Sequence, residues 1–194
     1  MNLSVKEIFY SLQGEGGRQG EASVFVRLTG CNLTCAFCDT DFNGGTMMSV
    51  DQVLSEIGSY PCRWIIWTGG EPMLQLDDEI VSFFNRNGFS QAIESNGYYP
   101  LPGLLNYTVV SPKGDIGYAR TINPKVNEIR LPVRKGDCLP ELALLPEAEH
   151  YFLSPVFTGE RGSTQENIDY CVSQIKRDNR WRLSVQMHKL IGIE

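Results

Sequence analysis

Apolar residues gather along this chain in short, nearly continuous runs, separated by polar stretches rich in Gly and Pro. Seven runs read as strands: VFVRLTG from Val24, RWIIWT from Arg63, QAIESN from Gln91, YTVVS from Tyr107, EIRLPV from Glu128, YFLSP from Tyr151 and RLSVQM from Arg182. Several are β-branched and almost unbroken, as strands covered on both faces tend to be. Helical patterns lie between some of them. Ser49 and Gln52 form a capping box ahead of VLSEIGS. Asp77 caps a segment carrying Ile80, Val81 and Phe84 that stops near Gly88, and Ser163 with Glu166 opens a third bearing Ile168, Cys171, Val172 and Ile175.

Strand–helix–strand alternation predicts an α/β fold with mostly parallel pairing and right-handed crossovers. The crossovers from Gly97 to Asn106 and from Pro112 to Asn127 are too short for full helices. A complete eight-fold barrel also takes about 250 residues, and this chain has 194. The expectation is therefore a single domain over residues 1–194: a partial, truncated (β/α)6-type barrel with its ligands at the carboxyl ends of the strands.

Composition narrows the function. With 42% hydrophobic and 21% charged residues, the chain reads as soluble and globular. No apolar run approaches the roughly 20 residues of a membrane helix. The first residues carry no long apolar stretch of the signal-peptide type, so a cytoplasmic address is expected. A net charge of −6 argues against charge-driven nucleic-acid binding. Of six cysteines, three crowd into Cys31, Cys35 and Cys38. Cys62, Cys138 and Cys171 are scattered and read as structural.

A loop with cysteines at i, i+4 and i+7 directly after a strand can present three thiolates to one group. An iron–sulfur cubane takes one soft ligand per iron, so three leave one iron open to a substrate or cofactor. A structural zinc site is the other reading, but zinc prefers four closed ligands. Downstream, Thr68-Gly69-Gly70-Glu71-Pro72, Ser95-Asn96-Gly97 and Ser111-Pro112-Lys113 each end a strand. Taken alone, any of them could be an ordinary turn.

Taken together, the CxxxCxxC loop and TGGEP one strand later resemble the radical S-adenosylmethionine (SAM) superfamily. With Phe9-Tyr10-Ser11-Leu12-Gln13-Gly14-Glu15-Gly16, Arg27, Cys38-Asp39-Thr40, Ser111-Pro112-Lys113 and Gln186-Met187-His188-Lys189, the chain resembles the 7-carboxy-7-deazaguanine synthases from Glu7 to Lys189. One departure is Tyr10, which separates the Phe and Ser of that family's first motif. The resemblance implies a [4Fe–4S] cluster on Cys31, Cys35 and Cys38, whose open iron chelates SAM. It further implies Mg²⁺-dependent ring contraction of 6-carboxy-5,6,7,8-tetrahydropterin, with loss of ammonia, on the route to queuosine and other 7-deazapurines.

Site residues follow from the same resemblance. SAM would meet Phe37, Cys38, Asp39, Gly69, Gly70, Glu71, Ser95, Ser111 and Lys113. Thr40 would give its hydroxyl to Mg²⁺. The pterin would meet Leu12, Gln13, Gly14, Glu15, Arg27, Thr68, Gln186, His188 and Glu194. Arg27 suits the substrate carboxylate independently, because a guanidinium is a planar fork. His150 reads as structural. The partners implied are the pterin, an electron donor such as flavodoxin or ferredoxin, and a second copy of the chain in a homodimer. The competing readings are a glycyl-radical activating protein and a zinc-stabilised interaction module.

Overall fold

The computed structural model describes residues 1–114 and 116–193. Its centre is a single nine-stranded sheet. The seven expected runs become β2 (Ala22–Leu28), β4 (Trp64–Gly69), β5 (Ser90–Ser95), β6 (Tyr107–Val110), β7 (Lys125–Val133), β8 (Glu147–Pro155) and β9 (Trp181–Leu183). They pair in parallel in that order. Six of these strands have four residues or more and β9 has three, which matches a six-stranded partial barrel plus one short addition.

Two strands were not expected. β1 (Asn2–Leu12) lies antiparallel between β2 and β3 (Thr46–Ser49). Its alternation is broken by a register shift between Val5 and Glu7, so only Leu3 and Val5 are fully inside. A bulge of this kind spoils the period-two signature by which a strand is recognised. Its consequence is positional: Leu12 lies opposite Ala22 at the start of β2, and from there the Gln13–Gly17 turn reaches across to Glu94 and Glu128.

The capping box opens α1 (Val50–Ile57), where the Ser49 side chain accepts from the Gln52 N–H and the Gln52 side chain accepts from the Ser49 N–H. Asp77 caps α2 (Asp78–Arg86) through Ile80 N–H. The crossover after β5 carries no helix among the described residues, and the next has only the six-residue α3 (Gly117–Ile122). α4 (Arg161–Ile175) starts two residues before the expected Ser163 cap, which instead donates to Thr158 Oγ1. Its buried face is Thr164, Asn167 and Cys171, because the Asn167 amide donates to Val156 C=O and its oxygen accepts from Lys135 N–H. α5 (Met187–Ile191) closes the described chain.

The core has two apolar clusters. One centres on Val26, Ile65, Trp67 and Phe84, the other on Ile129, Leu153 and Trp181. Cys171 is buried in the second, its thiol pushed up to about 12 by burial. Cys62 is half-buried and donates to Ala22 C=O. Cys138 is exposed, so the expectation of a packed structural thiol fails there. Among the described residues no helix is long and apolar enough to cross a membrane.

Candidate active site

The carboxyl ends of the parallel strands open onto two adjoining lobes of about 240 and 250 Å³. Glu15, Asp39, Thr40, Thr68, Glu94, Arg130 and Gln186 line both. The first lobe adds Cys31, Cys35, Phe37, Cys38, Gly69, Gly70, Ser95, Ser111 and Lys113. The second adds Leu12, Gln13, Gly14, Arg27 and His188. Of the SAM set implied by the sequence, Asp39 lines both lobes and Glu71 neither; of the pterin set, Glu15, Thr68 and Gln186 line both. Glu194 lies outside the described residues.

All three clustered thiols are free and face the first lobe, and none of the other three cysteines does. Burial pushes the Cys31 thiol up, opposed by the Leu33 N–H and reinforced by the charge of Glu71. A cubane fits this donor set: soft sulfurs on one irregular loop, with no fourth cysteine at the cavity.

The two glycines of the TGGEP turn lie against the backbone of β2 and of the cluster loop. Gly69 has φ +123, and a Cβ there would stand 2.0 Å from Leu28 C=O. A Cβ on Gly70 would stand 1.8 Å from Gly30 C=O and 3.0 Å from Cys31 Cβ. The chain needs glycine at both positions so that β4 can seat the cluster loop, with Glu71 N–H donating to Gly30 C=O at 2.9 Å. Glu71 itself is 0% exposed and does not line the cavity. Its carboxylate accepts from Ser95 Oγ, Asn96 N–H and Met73 N–H. Burial pushes it up and these hydrogen bonds pull it back, leaving it raised.

Lys113 Nζ donates to Ser111 C=O and Ser111 Oγ and stands 6.0 Å from the centre of the Phe37 ring. Desolvation pulls its ammonium down to about 8. An anion arriving in the first lobe would find this cation half-buried and held on a short tether. In the second lobe, Arg27 Nε donates to Glu7 at 2.6 Å, beside the stacked rings of Phe9 and Phe25. That flat aromatic pair, both rings lining the lobe, was not singled out from the sequence as a contact surface.

The chain's last described segment closes over the second lobe. Met187 N–H donates to Gly14 C=O at 2.9 Å, and a Cβ on Gly14 would stand 2.1 Å from His188 Nδ1. Gln186 and Lys189 both donate to Asp39 on the cluster loop. Burial raises the Asp39 carboxyl, but the hydrogen bond and charge of Lys189 outweigh it and hold the group low. Burial lowers the His188 imidazole. Thr40 brings a hard oxygen to the boundary of the lobes, next to Asp39, the donor type Mg²⁺ takes.

Sequence reading missed part of the floor, Arg130 and Glu94, which line the cavity. Ser154 lines it as well and donates from Oγ to Glu15 at 2.6 Å; it ends β8 in a Ser-Pro step like that of Ser111-Pro112, which marks it in the sequence only as a loose match to a cavity-lining turn. His150 sits outside both lobes, with its Nδ1 3.4 Å from Arg182 and its ring edge-on to Phe152.

Residues 25–111 match the Radical SAM superfamily model. Over 193 residues the chain is 40% identical to the 7-carboxy-7-deazaguanine synthase of Bacteroides thetaiotaomicron, covering all of both chains. It is 37% identical to that of Caulobacter vibrioides, again across both full lengths. The crystal structure of QueE from Escherichia coli superposes with a TM-score of 0.75 at 25% identity, covering 97% of this chain and 95% of that one. Cysteine loop, glycine turn and two-lobed cavity therefore stand on a shared scaffold, and the chain belongs to the 7-carboxy-7-deazaguanine synthase family within the radical SAM superfamily.

Proposed function

We propose that this chain is a radical SAM lyase that contracts the ring of 6-carboxy-5,6,7,8-tetrahydropterin to 7-carboxy-7-deazaguanine, releasing ammonia, in queuosine and 7-deazapurine biosynthesis. Full-length relatives of that name support the activity. The observation that carries it is the pairing of two lobes: three thiols and a cation in one, and a carboxylate-rich, aromatic-walled recess in the other. When bound at Cys31, Cys35 and Cys38, the cluster together with SAM supplies a 5′-deoxyadenosyl radical, the reagent for taking one hydrogen atom from pterin C6.

The chain's own residues do the rest. Lys113 and Ser111 receive the SAM carboxylate and a ribose hydroxyl, and Phe37 lies against the adenine. Glu71 acts from behind, fixing Ser95 Oγ and the Asn96 N–H at the cavity wall. Arg27, released from Glu7, pairs with the substrate carboxylate, and Thr40 gives Mg²⁺ an oxygen beside it. Gln13, Glu15 and the backbone at Leu12 and Gly14 read the pterin edge, with Thr68 at the boundary. Gln186 and His188 shut the recess against water, which protects a radical from quenching. The chain acts as one domain in the cytoplasm, as a homodimer, and takes electrons from a flavodoxin or ferredoxin.

The test is turnover of the carboxytetrahydropterin with SAM, a reductant and Mg²⁺. Deazaguanine product, with a hydrogen label placed at C6 passing into the 5′ position of the deoxyadenosyl group, supports the assignment. SAM cleavage without any deazaguanine would leave the superfamily and remove this reaction.

A further inference from the structure

The floor of the cavity holds a charged cluster that no sequence motif announced. Arg130, on β7, is 6% exposed. Its Nη1 stands 3.0 Å from Glu94 and 3.7 Å from Glu15, while its Nε and Nη2 donate to Glu128 Oε1 at 2.8 and 2.6 Å. Glu128 is 0% exposed, and its other oxygen accepts from Gly17 N–H at 2.9 Å and from the Tyr107 hydroxyl at 3.0 Å. Gly17 follows the turn carrying Gln13 and Glu15, so Glu128 ties Arg130 to the backbone of that turn. Gly16 shows how tight the fit is. With φ +73, a Cβ there would lie 2.1 Å from Glu128 Oε1 and 2.5 Å from Arg130 Nη2.

One guanidinium therefore serves three carboxylates. Glu128 lies underneath, and Glu15 and Glu94 line both lobes. Two carboxylates at one cavity repel each other, and each disfavours ionisation of the other unless a cation stands between them. Gln13 Nε2 also donates to Glu94 at 2.9 Å, and Ser154 braces Glu15. A tetrahydropterin carries N–H hydrogens on its exocyclic amine and on N3, N5 and N8, whereas the fully oxidised ring lacks those on N5 and N8.

We propose that Arg130, anchored by Glu128, is a positioning residue that holds Glu15 and Glu94 as a fixed pair of acceptors for the N–H groups of the reduced pterin ring. Arg130 thereby makes the recess selective for the reduced over the oxidised ring. This rests on the reading that the second lobe takes the pterin. Electrostatics agree with the geometry. Burial pushes the Glu94 carboxyl up to about 7, Arg130 pulls it down, and Glu128 and Glu15 push it further up. Tyr107, the first residue of β6, and Lys113, just beyond its end, also feel the Glu94 charge. Without the guanidinium, Glu94 would hold a proton across neutrality, and one of its two oxygens would turn from acceptor to donor.

The test compares Arg130→Met and Arg130→Lys with the reconstituted wild type. The readouts are KM and kcat for the carboxytetrahydropterin from about pH 6 to about pH 9, cluster iron, SAM binding, and binding of oxidised 6-carboxypterin. Arg130→Met is expected to raise KM at least about tenfold and to move the acid limb of kcat/KM to higher pH. Iron content and SAM affinity should hold, and affinity for the oxidised pterin should change much less. Arg130→Lys should restore the acid limb while keeping part of the KM rise, because the charge returns without the fork. Should Arg130→Met fail to load its cluster, Arg130→Lys decides alone: a raised KM at unchanged SAM affinity supports the assignment, and a wild-type KM overturns it. A wild-type profile in Arg130→Met, or equal losses of SAM and pterin binding in both variants, also overturns it. Absence of deazaguanine from the wild type would instead defeat the reaction assignment.

Discussion

The cluster loop and the strand-end floor enclose one cavity from opposite sides, and they are held in different ways. The loop is tied by isolated contacts: Gly30 N–H to Phe42 C=O, Cys38 N–H to Cys35 C=O, the Asn96 amide to Asn32, Lys6 to Asp41, and the Lys189–Asp39 pair. Most of these lie at the surface, where an ion pair contributes about 1 kcal/mol or less. The floor is a continuous buried network in which Glu128, Arg130, Glu94, Gln13 and Tyr107 share hydrogen bonds. One side has few ties of its own, and the other is braced before a substrate arrives. Metal binding is commonly coupled to folding of the segment that supplies the ligands, while a recognition surface gains from being preorganised.

Substitution separates the two sides most sharply at the thiols. Cys35→Ala should abolish cluster loading and reduce product to background, while thermal unfolding of the sheet shifts little; iron analysis beside calorimetry checks both. Glu71→Ala is next. It strands two backbone N–H groups and the Ser95 hydroxyl where β4 supports the loop. Each unsatisfied buried group costs about 1–3 kcal/mol, so denaturant titration should find the whole protein destabilised by several kcal/mol.

Gly16→Ala attacks the floor alone. Its methyl meets Glu128 and Arg130 on a backbone at φ +73, so pterin KM should rise by about tenfold or more at intact iron content. A pH scan sharpens the contrast further. Glu94 is raised from 4.5 to about 7 in the folded state, so between those values the folded protein holds a proton that the unfolded chain has lost. Stability should therefore fall as pH rises through that window, and Glu94→Gln should flatten the slope in urea titrations. The smallest effect belongs to Lys189→Met, which cuts one latch between α5 and the loop. A two- to fivefold loss in kcat/KM, about 1 kcal/mol or less, is expected with no change in melting temperature.

The same division governs what could be read in advance. Cys31, Cys35 and Cys38 occupy eight consecutive positions, so their chemistry is visible as local spacing. Parallel strands are visible because each is a short apolar run, and Asp77 and Ser49 because a cap acts over three residues. The floor offers no such signal. Arg130 looks like one polar residue in EIRLPV, and its partners lie 36 and 115 positions away at Glu94 and Glu15. Only the sheet order brings them together. β1 was hidden by its register shift, and the Arg161 start of α4 by the Ser163 hydroxyl, which bonds Thr158 instead of capping the helix. Glu71 sat in a recognisable motif, yet its place behind the wall depends on Ser95 and Asn96 of the next strand.

The hydrogen bond from Met187 N–H to Gly14 C=O spans nearly the entire polypeptide. Such a contact carries a high loop-closure entropy, and pairings of this separation form late when a chain folds. Most ties to the thiol loop, by contrast, come from residues 6 to 96, with Gln186 and Lys189 reaching it from the far end. The recess for the second molecule is finished only when the two extremities meet. Pulsed hydrogen exchange during refolding should find the Met187 amide among the last to gain protection.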